Sequence, residues 1–235
     1  MSRSKAAVFL ALDVDTKDEA FSLVEKWSPH ILGFKVGPRL GFQFTQSEWR
    51  WLSKKGEVFI DYKFFDIPST VASSVKVAFD SGASFCTVHA LNGLECLKGL
   101  AKLEKELNQI RPFKVLCVTL LTSFDQEGNV LPLSRNMEPA KVVNTLSDVV
   151  FESGLSGLVC SPREVSKVKE RYPKGTFVIP GIRFATDSKD DQKRVATPEA
   201  AWADGATHLV MGRSLIRAKD FENTVKNLEA SWQTV

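Results

Sequence analysis

The chain has 235 residues, and its 31 lysines and arginines are nearly balanced by 28 aspartates and glutamates, giving a formal net charge of +3. The basic residues are scattered, so the charge gives no argument for nucleic-acid binding, although a small anionic substrate would need only a few of them. A chain of this length can bury a full core without disulfides or a structural metal.

The N-terminal and cysteine patterns exclude further classes of protein. The apolar run Ala6–Leu12 is broken at once by Asp13, which argues against a signal peptide. No window approaches the roughly 20 apolar residues of a membrane-spanning helix. The four cysteines form no CxxC pair and have no histidine at zinc-finger spacing. We therefore expect a soluble, cytoplasmic protein with reduced cysteines and no metal site.

Short apolar runs alternate with longer helical patterns along the whole chain. Several of the short runs are continuously apolar, which is typical of strands covered on both faces in a parallel sheet. Eight strands are predicted: Val8–Leu12, Ile31–Val36, Val58–Tyr62, Phe85–His89, Val115–Leu120, Gly157–Cys160, Phe177–Ile179 and His208–Met211.

Helix-start signals lie between these strands. Thr16 and Glu19 form a predicted capping box, and four of the later helices are predicted to begin at prolines, Pro162 among them. The segment Phe42–Lys54 is less regular and predicts one or two helices. Strands and helices alternating over this length favour one domain, residues 1–235, folded as a closed (β/α)8 TIM barrel rather than an open doubly wound sheet.

Polar residues follow nearly every predicted strand, which is where barrel enzymes carry their catalytic groups. We expect them to share the rim at the carboxyl ends of the strands. They are Asp13, Lys35, Asp61 with Lys63, His89, Thr122 with Ser123, Ser161, Arg183 and Gly212 with Arg213. A lone histidine at a strand end is more often structural than catalytic, and we interpret His89 in that way.

The densest cluster surrounds the end of the third strand. Asp61 and Lys63 are two residues apart, so both side chains should point into the barrel mouth, where Lys35 can reach Asp61. If the following loop folds back, Asp66 completes an alternating array of charges. A lysine between carboxylates keeps its proton and can act as a proton donor. A surface charge network and a magnesium site built on the two carboxylates are the alternatives.

Two basic glycine turns follow the seventh and eighth strands. One contains Gly181 and Arg183, and the other contains Gly212 and Arg213. Barrels that bind phosphate commonly do so after these two strands, with backbone N–H groups and arginines as donors. The pattern predicts a phosphate site at this part of the rim.

Taken together, these motifs resemble the orotidine 5′-phosphate decarboxylases of the bacterial type. The resemblance extends from about residue 8 to 215, and its DxKxxDIP element is the most specific part. The segments that carry it are Ala11-Leu12-Asp13, Lys35-Val36-Gly37, Asp61-x-Lys63-x-x-Asp66-Ile67-Pro68-x-Thr70, Val88-His89-Ala90, Leu121-Thr122-Ser123, Pro180-Gly181-Ile182-Arg183, Asp191-Gln192 and Gly212-Arg213.

The resemblance implies cofactor-free decarboxylation of orotidine 5′-phosphate to UMP, the last step of de novo pyrimidine nucleotide synthesis. Lys63 would protonate C6 of the pyrimidine as carbon dioxide leaves, and Asp61 would lie beside the substrate carboxylate. Lys35 would hold Asp61 and contact the ribose, as would Asp13. Phe65 stands where relatives often carry histidine, and this departure lies outside the charged array.

The resemblance also implies a homodimer and a set of binding residues. Asp66 and Thr70 would reach into the partner's site, and Ser69 between them stands where asparagine is frequent. The expected contacts to the pyrimidine are Thr122 and Ser123, and those to the 5′-phosphate are Arg183, Gln192, Gly212 and Arg213.

Two alternatives from other classes remain at this point. A metal-dependent sugar-phosphate aldolase or decarboxylase on the same barrel would share the DxKxxD element but usually lacks the Ile-Pro that follows it here. A nucleotide-binding pseudoenzyme would be expected to have lost one of the four charges, and this chain keeps all of them.

Overall fold

The computed structural model describes residues 5–121, 138–185 and 196–233. Eight parallel strands pair in chain order and close a barrel, with β1 next to β8. The predicted (β/α)8 architecture is confirmed. The strands are β1 (Ala6–Ala11), β2 (Ile31–Val36), β3 (Glu57–Phe64), β4 (Phe85–His89), β5 (Lys114–Val118), β6 (Gly157–Val159), β7 (Thr176–Ile179) and β8 (His208–Met211).

Ten α-helices lie within these ranges, and none of them is long and apolar enough to cross a membrane. They are α1 (Lys17–Trp27), α2 (Pro38–Gly41), α3 (Gln46–Lys55), α4 (Pro68–Asp80), α5 (Leu94–Leu107), α6 (Pro139–Glu152), α7 (Val165–Arg171), α8 (Pro198–Ala203), α9 (Arg213–Ile216) and α10 (Phe221–Gln233). The predicted segment Phe42–Lys54 contains one helix, α3, and the short α2 lies directly before it.

Side-chain caps explain where two of the early helices begin. The Thr16 hydroxyl accepts the Glu19 N–H at 3.3 Å, which is one half of the predicted capping box. Both halves are present at α3, between Thr45 and Glu48. The prediction for Pro162 is wrong, because the following turn is closed by a bond from the Glu164 N–H to the Ser161 carbonyl and α7 begins only afterwards.

The inward faces of the strands fill the barrel interior with aromatic and aliphatic side chains. Phe9 packs edge-to-face on Phe59 and Phe85, with ring centroids 5.4 Å and 5.1 Å apart. Strand residues two apart share a face. The inward face that holds Phe9 and Phe59 therefore continues, at the carboxyl ends of the strands, into Asp13 and Asp61.

His208 lies in this interior, stacked on Phe9 with ring centroids 5.9 Å apart, and burial lowers its pKa to about 4. The unfolded chain takes up a proton near pH 6.5, whereas the folded chain does not until about pH 4. Stability should therefore fall by up to about 3 kcal/mol as the pH decreases through that window, and no further below it.

Denaturant unfolding at a series of pH values checks this expectation. The His208→Gln variant, which has no titrating ring, should lose less stability than the wild type between about pH 6.5 and pH 4. Equal losses in the two proteins would show that His208 does not cause the acid sensitivity.

Candidate active site

A cavity of about 950 Å³ opens at the carboxyl ends of the strands. Among the described residues that line it, basic side chains outnumber acidic ones by six to two. This excess favours an anionic ligand. The basic residues are Lys35, Arg39, Lys63, Arg183, Arg213 and Arg217, and the acidic residues are Asp13 and Asp61.

Two lysines and two aspartates form a continuous charged array on one side of the cavity. The Lys63 Nζ lies 2.8 Å from one oxygen of Asp61, and the Lys35 Nζ lies 3.5 Å from the other. Lys35 also lies 3.3 Å from Asp13. The order along the array is therefore Lys63, Asp61, Lys35 and Asp13, so each lysine contacts Asp61 and Lys35 bridges the two carboxylates.

Asp61 lies at the centre of the array, and its side chain is only 15% exposed. Burial raises the pKa of Asp61, but the positive charges of Lys35 and Lys63 and the hydrogen bonds from Lys63 and Thr87 outweigh burial, so the pKa is lowered. Asp61 is therefore a carboxylate at neutral pH, and it attracts the Lys63 ammonium at the edge of the cavity.

The backbone of β3 is irregular where it carries Lys63. Pairing with β4 is interrupted between Ile60 and Phe64, and Lys63 has a φ of 50°. This left-handed conformation costs about 1–2 kcal/mol for a residue with a side chain. The prediction that Asp61 and Lys63 point the same way assumed the side-chain alternation of a regular strand. The two side chains do meet, but the strand that carries them is distorted at Lys63.

Asp66 does not join the array within its own chain. Its backbone N–H donates to Asn92 at 3.3 Å, and its carboxylate accepts the Ile67 N–H at 2.6 Å. Neither Asp66 nor Thr70 lines the cavity, and both are exposed. The loop therefore does not fold back over Lys63, so a contribution from these two residues would have to reach the cavity of another subunit.

The two basic turns predicted to bind phosphate follow the neighbouring strands β7 and β8, and Gly212 lies next to Asp13 at the end of the charged array. Gly181, Arg183, Gly212 and Arg213 all line the cavity. Gly181 has a φ of 79°, which favours glycine at this turn. The Arg183 N–H donates to the Ala196 carbonyl at 3.0 Å, which joins the turn after β7 to the residues before α8.

The three remaining predicted binding residues lie outside the described ranges. Thr122 and Ser123 follow the last described residue after β5, and Gln192 falls between the second and third ranges. Their contacts with pyrimidine and phosphate stay predictions.

Two polar residues of the predicted rim serve local structure. The His89 ring accepts the Leu91 N–H at 3.2 Å and caps a short 3-10 turn. The hydroxyl and the N–H of Ser161 both donate to the Glu164 carboxylate, which closes the turn before α7.

Sequence reasoning did not identify three residues of this region. Arg39 and Arg217 line the cavity, and Thr87 hydrogen-bonds to Asp61 from within β4. Arg217 lies four residues after Arg213, and this helical spacing was the signal that could have revealed it. Thr87 is the polar residue inside an otherwise apolar strand segment, a weaker signal.

The described residues contain no group of three or more His, Cys, Asp and Glu side chains arranged to hold a metal ion. The carboxylate of Asp61 is already engaged by two ammonium groups. The charged array can instead stabilise negative charge developing beside Lys63 and donate a proton there.

The chain matches a known protein family over most of its length. Residues 6–228 match the family described as orotidine 5′-phosphate decarboxylase / HUMPS. The chain belongs to this family. Among curated members, the orotidine 5′-phosphate decarboxylases of Pseudomonas paraeruginosa and Pseudomonas fluorescens are 34% and 35% identical to it over 221 residues, covering 94% of each chain.

Solved structures of similar proteins share the fold over nearly the whole length. Orotidine 5′-phosphate decarboxylase from Lactobacillus acidophilus superposes with a TM-score of 0.82 at 27% identity, covering 97% of this chain and 99% of its own. An uncharacterized conserved protein from Geobacillus kaustophilus gives a TM-score of 0.80 at 28% identity, with 96% and 99% covered. The decarboxylase / HUMPS family membership thus extends across the barrel and its rim.

Proposed function

We propose that this protein decarboxylates orotidine 5′-phosphate to UMP without a cofactor, with Lys63 as the proton donor. The observation that carries the proposal is the 2.8 Å pair of Lys63 and Asp61 at the edge of a cationic cavity, in a chain of this family. The family description covers two groups of proteins. The named curated relatives and the Ile67-Pro68 pair after the charged motif favour the decarboxylase over the metal-dependent alternative.

The charge of the cavity suits this substrate. A phosphate and a carboxylate together give orotidine 5′-phosphate a charge of about −3 near neutral pH. The described cavity lining has six basic and two acidic side chains. Its acidic side chains are confined to the array, so the phosphate would bind among the arginines. The substrate carboxylate would then lie at the array, where the Lys63 ammonium is next to Asp61.

In the proposed reaction, the bond between C6 and the carboxylate breaks and its electron pair stays on C6. The Lys63 ammonium stabilises this charge and then donates its proton to C6, and solvent returns a proton to the lysine. Asp61 repels the substrate carboxylate by about 4 kcal/mol if the charges are about 4 Å apart in an effective dielectric of about 20. Departure of neutral carbon dioxide relieves this repulsion.

The turns after β7 and β8 would bind the 5′-phosphate. Arg183 and Arg213 supply charge, backbone N–H groups at Gly212 and Arg213 approach the anion, and Gln192 is the further predicted contact. Binding energy from this remote group supports catalysis at C6, because a transition state held at both ends is better oriented.

Replacing Arg213 with alanine tests the phosphate site. A charge-assisted hydrogen bond is worth about 1.5–3 kcal/mol, so kcat/KM for orotidine 5′-phosphate should fall about 10- to 150-fold. Turnover of orotidine, which lacks the phosphate, should scarcely change. Arg50→Ala, on the exposed face of α3 and outside this cavity, is the matched control. Equal losses with both substrates would rule out the phosphate role.

The surface around the β3–α4 loop supports a homodimer. Phe42, Phe65, Ile67 and Val77 are between 63% and 83% exposed. Phe42 and Val77 also line a groove of about 560 Å³, together with further apolar side chains, Thr70 and three serines. Exposed apolar patches of this kind mark interfaces. We propose that a second copy covers the patch and that Asp66 and Thr70 complete the partner's active site.

The experiment that tests the proposed function is ultraviolet recording of orotidine 5′-phosphate mixed with the purified protein. We expect the orotate absorbance to convert to that of UMP at the rate of carbon dioxide release. A protein that leaves this nucleotide unchanged but acts on a sugar phosphate in the presence of magnesium would belong to the alternative class.

A further inference from the structure

Thr87 is a buried polar residue within β4, with no exposed surface. Its hydroxyl accepts the backbone N–H of Lys63 at 2.9 Å and donates to Asp61 at 3.0 Å. These directions are fixed, because an amide N–H can only donate and a carboxylate can only accept. The single hydroxyl hydrogen is therefore directed at Asp61, and an oxygen lone pair is directed at Lys63.

This hydroxyl lies where the pairing of β3 and β4 is interrupted. The ladder is regular at Ile60 and resumes at Phe64, and Lys63 lies between them with its φ of 50°. A backbone N–H in such an interruption needs another acceptor, which Thr87 provides. The oxygen of Asp61 that accepts from Thr87 also accepts from the Lys63 ammonium at 2.8 Å.

We propose that Thr87 is a positioning residue for the decarboxylation, one that fixes both ends of Lys63 without touching the substrate. It holds the Lys63 backbone directly and the Lys63 ammonium through Asp61. Thr87 is absent from the cavity lining, so its effect passes through these two residues. The inference rests on the proposed function, because the geometry it maintains is that of Lys63 toward C6.

The test replaces Thr87 with valine, which keeps the shape and removes the hydroxyl. Misplacing a reacting group by about 1 Å costs up to about 100-fold, so kcat for orotidine 5′-phosphate should fall about 10- to 100-fold. KM should change less than about threefold, because the arginines of the phosphate site are untouched. Thr87→Ser keeps the hydroxyl and should restore kcat to within about threefold of the wild type.

The pH profile gives a second readout that a packing role would not move. The hydrogen bond from Thr87 lowers the pKa of Asp61. Its loss should move the acidic limb of the kcat profile to higher pH in the valine variant, and the serine variant should keep the wild-type profile. Two other titratable groups lie near the lysines of the array, Asp13 near Lys35 and His89 near Lys63. Both groups are unchanged in these variants.

Thr119→Val is the matched control, because Thr119 is also buried and does not line the cavity. It lies directly after β5, and its hydroxyl donates to the Val159 carbonyl at 3.4 Å, away from Asp61 and Lys63. The control variant should keep the wild-type kcat. If Thr87→Val does not fold, Thr87→Ala removes the same hydroxyl without adding a methyl group beside Asp61, and the same results are expected.

The inference is overturned if the hydroxyl-free variants keep the wild-type kcat, if the serine variant is as slow as they are, or if Thr119→Val is equally slow. These outcomes presuppose an active wild type. A wild-type protein without decarboxylase activity would overturn the proposed function, whereas an active wild type with unimpaired Thr87 variants would overturn this inference alone.

Discussion

Replacing Lys63 with alanine should abolish decarboxylation and leave nucleotide binding intact. The substitution removes both the proton donor and the positive charge that lies 2.8 Å from Asp61. Proton transfer by a positioned group contributes about 10²–10⁴-fold, and electrostatic stabilisation adds to it, so kcat should fall by about 10⁴-fold or more. The measurement is turnover of orotidine 5′-phosphate together with the affinity for UMP.

Affinity for UMP separates chemistry from folding in this experiment, because the proposed phosphate contacts come from the turns after β7 and β8 and not from Lys63. The matched control is Lys76→Ala, which removes a lysine from an exposed pair with Asp80 on α4. Such surface pairs contribute little, so activity and stability should stay close to those of the wild type. A Lys63→Ala variant that retained a tenth of the wild-type rate would contradict the role of Lys63.

Mixing two inactive variants should restore activity if the active site is shared between subunits. In a mixed dimer of Lys63→Ala and Asp66→Ala, one site would carry both lesions and the other neither. Random exchange makes half of the dimers mixed, so activity should rise to about a quarter of the wild-type value. The physical reason is that Asp66 is exposed and makes no ion pair within the described part of its own chain.

Subunit exchange has to be established separately, by tagging one variant and recovering the other with it. If Asp66 served its own subunit, every site of the mixed dimer would carry one lesion and no activity would return. Proven exchange without recovered activity would therefore rule out the shared site and leave the decarboxylation itself untouched.

The barrel and most of its rim could be predicted from the sequence because both depend on local patterns. Continuous apolar runs identify strands covered on both faces, and the carboxyl ends of parallel strands meet at one rim. Asp13, Lys35, Asp61 and Lys63 are brought together for this reason. The prediction needed only the order of the strands and the position of each polar residue after its strand.

What could not be predicted depends on departures from regular geometry. The left-handed Lys63 and the acceptor role of Thr87 follow from a register shift, which side-chain alternation cannot reveal. Arg39 reaches the cavity from α2, and Arg217 reaches it from the residue directly after α9. The proposed role of Asp66 would depend on a second subunit, whose position a single sequence does not encode in any local pattern.

Turnover by metal-depleted protein in excess EDTA tests directly whether decarboxylation is cofactor-free. Because Lys63 is proposed to stabilise the charge and donate the proton, orotidine 5′-phosphate should be converted to UMP at the rate seen without chelator. Activity that disappears in EDTA and returns with magnesium would contradict cofactor-free decarboxylation and favour a metal-dependent enzyme on the same barrel.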